Sequence, residues 1–427
     1  MKSFLRKSAI VTTATSSLPR NPARSLAFLF LLGLYFSGIS AGRAQSFDWT
    51  VKNSSLAGHG SKVATSVGGD TYVTTAFTGT VTLGGATLKS NGGIDILLIK
   101  YDSDGTVQWA RRIGSPEDEH VGDVAVSFTG QHVYVTGTFR STVKFDDYHG
   151  LTGASFASAG GTDAFVARYA TASGTFGWAR RTGGPQHDKG NGLALDPAGN
   201  AYTTGSFTGK AIFQTGEVPF SLTSIGLTDI FLTKYAPSGV VLFARRLGNT
   251  GIDEGRAVAW EGSSNGVYLT GSFAPASNPY IANVLTARFS DQGSLAWSKI
   301  SGSPTTIDVG NDITATPAGV YVTGDFGGQI AFGTHVLNAS GGSDAFVVHY
   351  PSDKAGQAAW ARRYGGNGWD EGQSIIAQPA LRKNCQKALK FGHLHPPCNV
   401  STCICNLGVR RPGRAASILR HLYAFPN

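Results

Sequence analysis

The chain repeats one short pattern: an aromatic residue, a turn, and then Trp-Ala-Arg-Arg or a close variant. It reads YDSDGTVQWARRIG at 101–114, YATASGTFGWARRTG at 169–183, YAPSGVVLFARRLG at 235–248 and YPSDKAGQAAWARRYG at 350–365. The repeat therefore predicts one module copied side by side, because each copy needs its neighbours to cover its apolar faces. The aligned anchors are spaced 60, 69, 65, 54 and 63 residues apart and are Trp49, Trp109, Trp178, Phe243, Trp297 and Trp360.

Each repeat contains four segments that alternate between apolar and other residues. In the second repeat they read GDVAVSF, HVYVTGTF, DAFVARY and FGWARR, separated by turns rich in Gly and Asn. Alternation with a period of two predicts strands, and such turns predict antiparallel hairpins. The predicted fold is all-β: a β-propeller of four-stranded antiparallel blades, with five complete blades plus an interrupted sixth. The predicted blades cover residues near 54–115, 116–184, 185–249, 250–303, 304–366 and, in part, 367–380.

Acidic and basic residues recur at fixed places in the hairpin that carries each anchor. Counting back from the turn places Tyr101 opposite Thr106 and Asp95 opposite Arg112. This predicts cross-strand ion pairs worth about 0.2–1 kcal/mol each if exposed. In the fourth repeat both partners are replaced, by Asn283 and Ile300. The predicted pairs are Asp95 with Arg112, Asp163 with Arg181, Asp229 with Arg246, and Asp344 with Arg363.

The strings GGxDAFVxxY…WARR and YVTGxF resemble the bacterial SBBP repeat family, named for a seven-bladed β-propeller. The resemblance covers about residues 47–377. It implies an exported propeller with no assigned chemistry, and it carries over no catalytic residue. Kelch propellers share the Gly-Gly doublets but have a shorter repeat, and the Gly-His and Trp-Asp pairs of WD40 repeats do not recur.

The two ends of the chain differ from its middle. Residues 1–44 read as a signal peptide with the apolar core LAFLFLLGLYF and cleavage after Ala44, although an uncleaved anchor is the alternative. The tail, 381–427, is basic and holds all four Cys residues, so it is either a disordered natural tail or the product of a reading-frame change. Between them, residues 45–380 hold 22 basic and 27 acidic residues, which argues against nucleic-acid binding.

The loops that follow the anchors carry a row of acids, Asp118, Asp188, Asp253, Asp308 and Asp370, with His59 in the first repeat. Such a row either binds cations or sugars or caps the local turns, and its recurrence favours caps. We expect no catalytic residue, metal or cofactor, and no membrane span in the mature chain.

The predicted function is an exported, non-catalytic binding or scaffold role of a protein that is secreted, at the cell surface or in the periplasm, with an extracellular protein or glycan as partner. The alternative is a polysaccharide hydrolase, a lyase or a lectin with its site at the central channel. Clustered departures from the repeat would indicate a binding or active site, and residues 274–284 and 140–162 are the first places to look.

Overall fold

The computed structural model describes residues 62–146, 152–214, 219–262, 266–275, 277–303, 305–379 and 402–405. They belong to one compact unit, 51–427. Every regular element in these ranges is a β-strand, and none of the described residues forms a helix that is long and apolar enough to cross a membrane. The segment predicted to be a signal peptide, Trp49, His59 and nearly all of the tail lie outside the described residues.

Five antiparallel sheets with four strands from one repeat each follow one another along the chain. A hairpin from the next repeat extends each of the first two sheets to six strands. Sheet 1 consists of β1 (Lys62–Thr65), β2 (Thr71–Phe77), β5 (Asp95–Tyr101) and β6 (Val107–Gly114). Sheet 2 consists of β7 (His120–Val126), β8 (His132–Phe139), β11 (Asp163–Ala170) and β12 (Phe176–Gly183). Sheet 3 consists of β13 (Lys189–Leu195), β14 (Ala201–Phe207), β17 (Asp229–Tyr235) and β18 (Val241–Leu247).

Sheets 4 and 5 continue the series. Sheet 4 consists of β19 (Glu254–Glu261), β20 (Gly266–Phe273), β21 (Asn283–Ser290) and β22 (Leu295–Ser301). Sheet 5 consists of β23 (Val309–Thr316), β24 (Gly319–Phe326), β27 (Asp344–Pro351) and β28 (Trp360–Tyr364). A last pair follows, β29 (Ile376–Pro379) with β30 (Thr402–Cys405). A short part of the tail thus pairs with residues of the predicted sixth repeat, whereas the sequence indicated a disordered tail or the product of a reading-frame change.

Four sheets carry an extra hairpin between their second and third strands. The sequence pattern predicted four strands per repeat and missed these hairpins, because their strands are short. The hairpins of the second and third sheets each pair with the fourth strand of the preceding sheet, which removes an exposed edge. In sheet 4 the residues from 274 to 282 replace the hairpin. The hairpins are β3 (Thr80–Leu83) with β4 (Ala86–Lys89), β9 (Thr142–Asp146) with β10 (Thr152–Ala157), β15 (Lys210–Phe213) with β16 (Phe220–Thr223), and β25 (Gln329–Phe332) with β26 (His335–Asn338).

The first strands of consecutive sheets lie next to one another, so the sheets stack face to face around a centre. The apolar core lies between sheets: one cluster joins Tyr72 and Trp109 of sheet 1 to Phe165 and Tyr169 of sheet 2. The next cluster joins Trp178 to residues of sheet 3 in the same way. This is the architecture of a β-propeller.

The predicted hairpin register is wrong by two positions. Leu97, not Asp95, lies opposite Arg112, and Tyr101 lies opposite Val107. The turn closes one residue later, with Asp102 N donating to Thr106 O, and a β-bulge follows Lys100. A bulge inserts one extra residue into a strand, and counting along the sequence does not reveal it.

Candidate functional site

In the first three sheets, the aromatic anchor and the first arginine contact the next sheet. Trp109 Nε1 donates to Thr171 O at 3.0 Å, and Arg111 Nε donates to Gly174 O at 2.8 Å. One sheet further along, Trp178 and Arg180 make the same two contacts with the next turn, both at 2.9 Å. The first arginine carries no predicted role above, although its recurrence two residues after four of the six anchors is the signal that marks it. We call this arrangement the inter-sheet clamp.

The anchors differ in burial along the chain. Trp109, Trp178 and Phe243 are buried, whereas Trp297 and Trp360 are half-buried. Each arginine of a clamp also lies over its own anchor ring, as Arg180 does over Trp178 at 5.4 Å. The repeated motif therefore holds consecutive sheets together and leaves no group of its own for chemistry.

The second arginine of each repeat contacts the acid that begins the third strand. The nearest nitrogen–oxygen distances are 3.9 Å in sheet 1, 3.3 Å in sheet 2, 2.7 Å in sheet 3 and 2.5 Å in sheet 5. These are diagonal contacts, because the acid lies two residues away from the position opposite the arginine. The four pairs are Arg112 with Asp95, Arg181 with Asp163, Arg246 with Asp229, and Arg363 with Asp344.

All four acids are fully buried, so the exposed-pair energy does not apply to them. Burial raises the pKa of Asp95 and of Asp163 to about 6, although a backbone N–H and the arginine oppose the shift. In sheet 4, Asn283 replaces the acid, and Ile300 is exposed at the position of the arginine.

A second row of buried acids precedes the first strands. Each accepts the backbone N–H of a residue four or five positions earlier, as Asp188 does from Gly184 at 2.7 Å. In sheet 2 the row contains Glu119, which accepts from Ser115 N at 2.7 Å, and not Asp118 as predicted. The prediction chose the nearest Asp, but Asp118 is exposed and lies nine residues after its anchor Trp109. Glu119 lies ten residues after it, the same spacing that separates Asp188 and Asp253 from their anchors. The row consists of Glu119, Asp188, Asp253, Asp308 and Asp370.

These acids cap their loops. Burial raises the pKa of Glu119 to about 8 and that of Asp188 to about 7. No group of three or more His, Cys, Asp or Glu residues in the described part of the chain could hold a metal ion. The row is thus a set of turn caps.

An apolar surface lies at the end of the propeller that carries these caps, which we call the loop end. Its side chains are well exposed, at 60% for Ile225 and for Ile307 and 72% for Tyr280. Backbone hydrogen bonds join the segments that carry them: Leu227 N donates to Gly251 O, Ile252 N to Pro279 O, and Asp308 N to Ala282 O. The loop-end patch consists of Ile225, Leu227, Ile252, Tyr280 and Ile307.

A polar cavity of about 430 Å³ opens between sheets 2, 3 and 4, at the loop-end starts of their first strands. Glu254 Oε1 lies 3.5 Å from Lys189 Nζ and 3.2 Å from Asn191 Nδ2. The His187 ring lies over residues 161 and 162, with Nδ1 3.3 Å from Thr162 N. The polar residues that line the cavity include His120, Thr162, His187, Lys189, Asn191 and Glu254.

Residues 177–209 match the family model of the SBBP β-propeller repeat. The chain carries an SBBP repeat. The matched segment runs from the fourth strand of sheet 2 to the second strand of sheet 3, so it contains the clamp residues Trp178 and Arg180 and the cap Asp188. The resemblance expected from the repeated strings is therefore confirmed in this segment.

Two curated relatives and one solved structure are similar to the chain. The regulatory protein FlaEY of Caulobacter vibrioides is 27% identical over 345 residues, which cover 72% of this chain and 34% of the relative. An uncharacterized WD repeat-containing protein, L264 of Acanthamoeba polyphaga mimivirus, is 26% identical over 45% of this chain and 16% of its own length. The β-propeller domain of Cps50 (Swd1) from Myceliophteria thermophila has a TM-score of 0.34 and 10% identity, over 77% of this chain and 91% of that domain.

The chain thus spans about a third of FlaEY and less of L264. Within the described sheets, the recurring charged residues serve the fold. The loop-end patch and the polar cavity differ from repeat to repeat, and both lie at the same end. They are the candidate functional surfaces.

Proposed function

We propose that this β-propeller repeat protein is an exported, non-catalytic binding protein that contacts a protein partner through the loop-end patch. The observation that carries the proposal is the patch itself. Monomeric proteins seldom expose several large apolar side chains side by side unless they bind something there. Aliphatic Ile and Leu around one Tyr suit a protein surface, since sugar binding relies more on polar groups and aromatic faces.

The position of the patch supports this reading. Tyr280 lies in 274–282, the segment that replaces the extra hairpin in sheet 4. Its exposed aromatic side chain is therefore at a place where the sheet departs from the repeat. Ile252 and Ile307 precede the buried caps Asp253 and Asp308, at a repeat position held by His187 in sheet 3. The position is free to vary, because its side chain faces outward while the cap beside it is fixed.

Binding is tested by retention of a partner from an extracellular extract of the source organism. The immobilised protein is compared with the double variant Ile252→Asp/Ile307→Asp and with Val67→Asp, whose side chain is exposed in the β1–β2 turn at the opposite end. We expect a protein to be retained by the wild type and by Val67→Asp but lost from the double variant. Retention by all three proteins, or by none, would argue against the patch.

Export is a separate part of the proposal and rests on residues 1–44. A fusion of these residues to a reporter enzyme that is active only outside the cytoplasm should show activity. Replacing Leu31 and Leu32 with Arg in the apolar core should abolish that activity. Equal activity of the two fusions would contradict export.

A further inference from the structure

We propose that the polar cavity between sheets 2, 3 and 4 binds a sugar-sized molecule through a carboxylate or phosphate group. The cavity is separate from the loop-end patch in composition, so this inference does not depend on the protein partner proposed above. Its argument rests on repeat position, charge and size.

The cavity residues are departures from the repeat. His120, Lys189 and Glu254 occupy the same place in three consecutive sheets, directly after a buried cap. In sheet 5 the same place holds Val309, so the fold does not require a polar side chain there. Three different polar residues thus converge on one cavity without a structural need.

Lys189 is the residue of the cavity best placed to contact an anion. Glu254 Oε1 lies near Lys189 and Asn191, and Arg256, which is outside the cavity lining, has its Nε 3.7 Å from Oε2. The charge of the carboxylate is thus shared between two cations. Lys189 Nζ can therefore donate to a further oxyanion, since an ammonium has three donors, and such bonds are about twice as strong as neutral ones.

The two histidines extend this set of donors. The His120 and His187 side chains are both exposed at the rim of the cavity. Each imidazole offers an N–H to an anion or to a sugar hydroxyl. A volume of about 430 Å³ suits a ligand the size of one sugar.

The test is titration calorimetry of the purified protein with three probes: glucuronate, glucose 6-phosphate and glucose. We expect saturable binding of at least one anion and none of glucose. Binding of glucuronate alone identifies a carboxylate ligand, binding of the phosphate alone a phosphate ligand, and binding of both a site for either oxyanion. Absence of saturable binding for both anions, or equal binding of glucose, would overturn the proposal.

Matched variants locate the site. Lys189→Gln and His187→Gln should each weaken anion binding by about tenfold, as expected for the loss of a charged or polar contact. Lys144→Gln removes an exposed charge on the hairpin strand β9 and should leave binding unchanged. Equal losses in all three variants would indicate non-specific attraction and contradict the proposal. The Ile252→Asp/Ile307→Asp variant should still bind the anion, which separates this site from the protein surface.

Discussion

The second arginine of each repeat lies beside a carboxylate that has no exposed surface. Asp163 accepts the backbone N–H of Ala159 at 2.7 Å and lies 3.3 Å from Arg181, whose guanidinium is itself mostly buried. Desolvation of the carboxylate opposes its charge, and the arginine offsets part of that cost. Removing only one partner of the pair should therefore cost more stability than replacing both.

Replacing Arg181 with Met should lower the free energy of unfolding by roughly 3 kcal/mol, since it leaves a buried carboxylate without its cation. The midpoint of urea unfolding at pH 7 measures the effect. The double variant Asp163→Asn/Arg181→Met should recover part of the loss, because an amide carries no charge to bury. A single variant as stable as the wild type would contradict a buried ion pair.

At the scale of elements, the clamp depends on a glycine in the turn of the following sheet. Gly239 has a φ of +83°, and its carbonyl accepts the Arg180 Nε hydrogen bond. A β-carbon at this glycine would lie 2.8 Å from Trp178 Cδ2 and 3.0 Å from Arg180 Nη2. The turn fits the anchor because it has no side chain at that point.

Gly239→Ala should therefore destabilise the protein by about 1 kcal/mol more than Gly130→Ala, through the clash with the clamp. Gly130 is the matched control, since its φ is +70° and a β-carbon there would meet nothing within 4 Å. Both variants carry the cost of a positive φ, so the difference isolates the clamp. Equal urea midpoints for the two variants would show that the turn does not bear on the neighbouring sheet.

Across the whole molecule, buried acids in successive sheets act together on stability. Burial raises the pKa of Glu119 to about 8, that of Asp188 to about 7 and that of Asp253 to about 6. The folded state thus holds protons more tightly than the unfolded chain. The stability contributed by these groups is present below about pH 4 and is lost as the pH rises through 6 to 8.

Glu119→Gln should flatten the fall in unfolding free energy between pH 5 and pH 8, because the amide does not titrate. Asp118→Asn, at the exposed neighbouring residue, should leave the slope as it is in the wild type. Urea unfolding at several pH values measures both slopes. A Glu119→Gln slope that matches the wild type would contradict the raised pKa.

Most of the fold follows from patterns among residues that are close in sequence. The anchors and the alternating strands predicted the sheets, because period-two alternation and apolar burial are local consequences of strand geometry. The extra hairpins were missed, since their strands are only four to six residues long. Two of them also pair with the preceding sheet, a contact that local sequence does not reveal. The hairpin register was missed because a bulge changes it without changing the residue pattern.

The sequence by itself determined that the chain builds repeated antiparallel sheets whose aromatic anchors and charged pairs recur, since each is set by spacing within one repeat. Only the tertiary structure decided that the first arginine joins one sheet to the next. It alone brought His120, Lys189 and Glu254 into one cavity. The clamp and cavity contacts join residues of different sheets, 48 to 65 positions apart in sequence, and they are fixed by how the sheets stack around the centre.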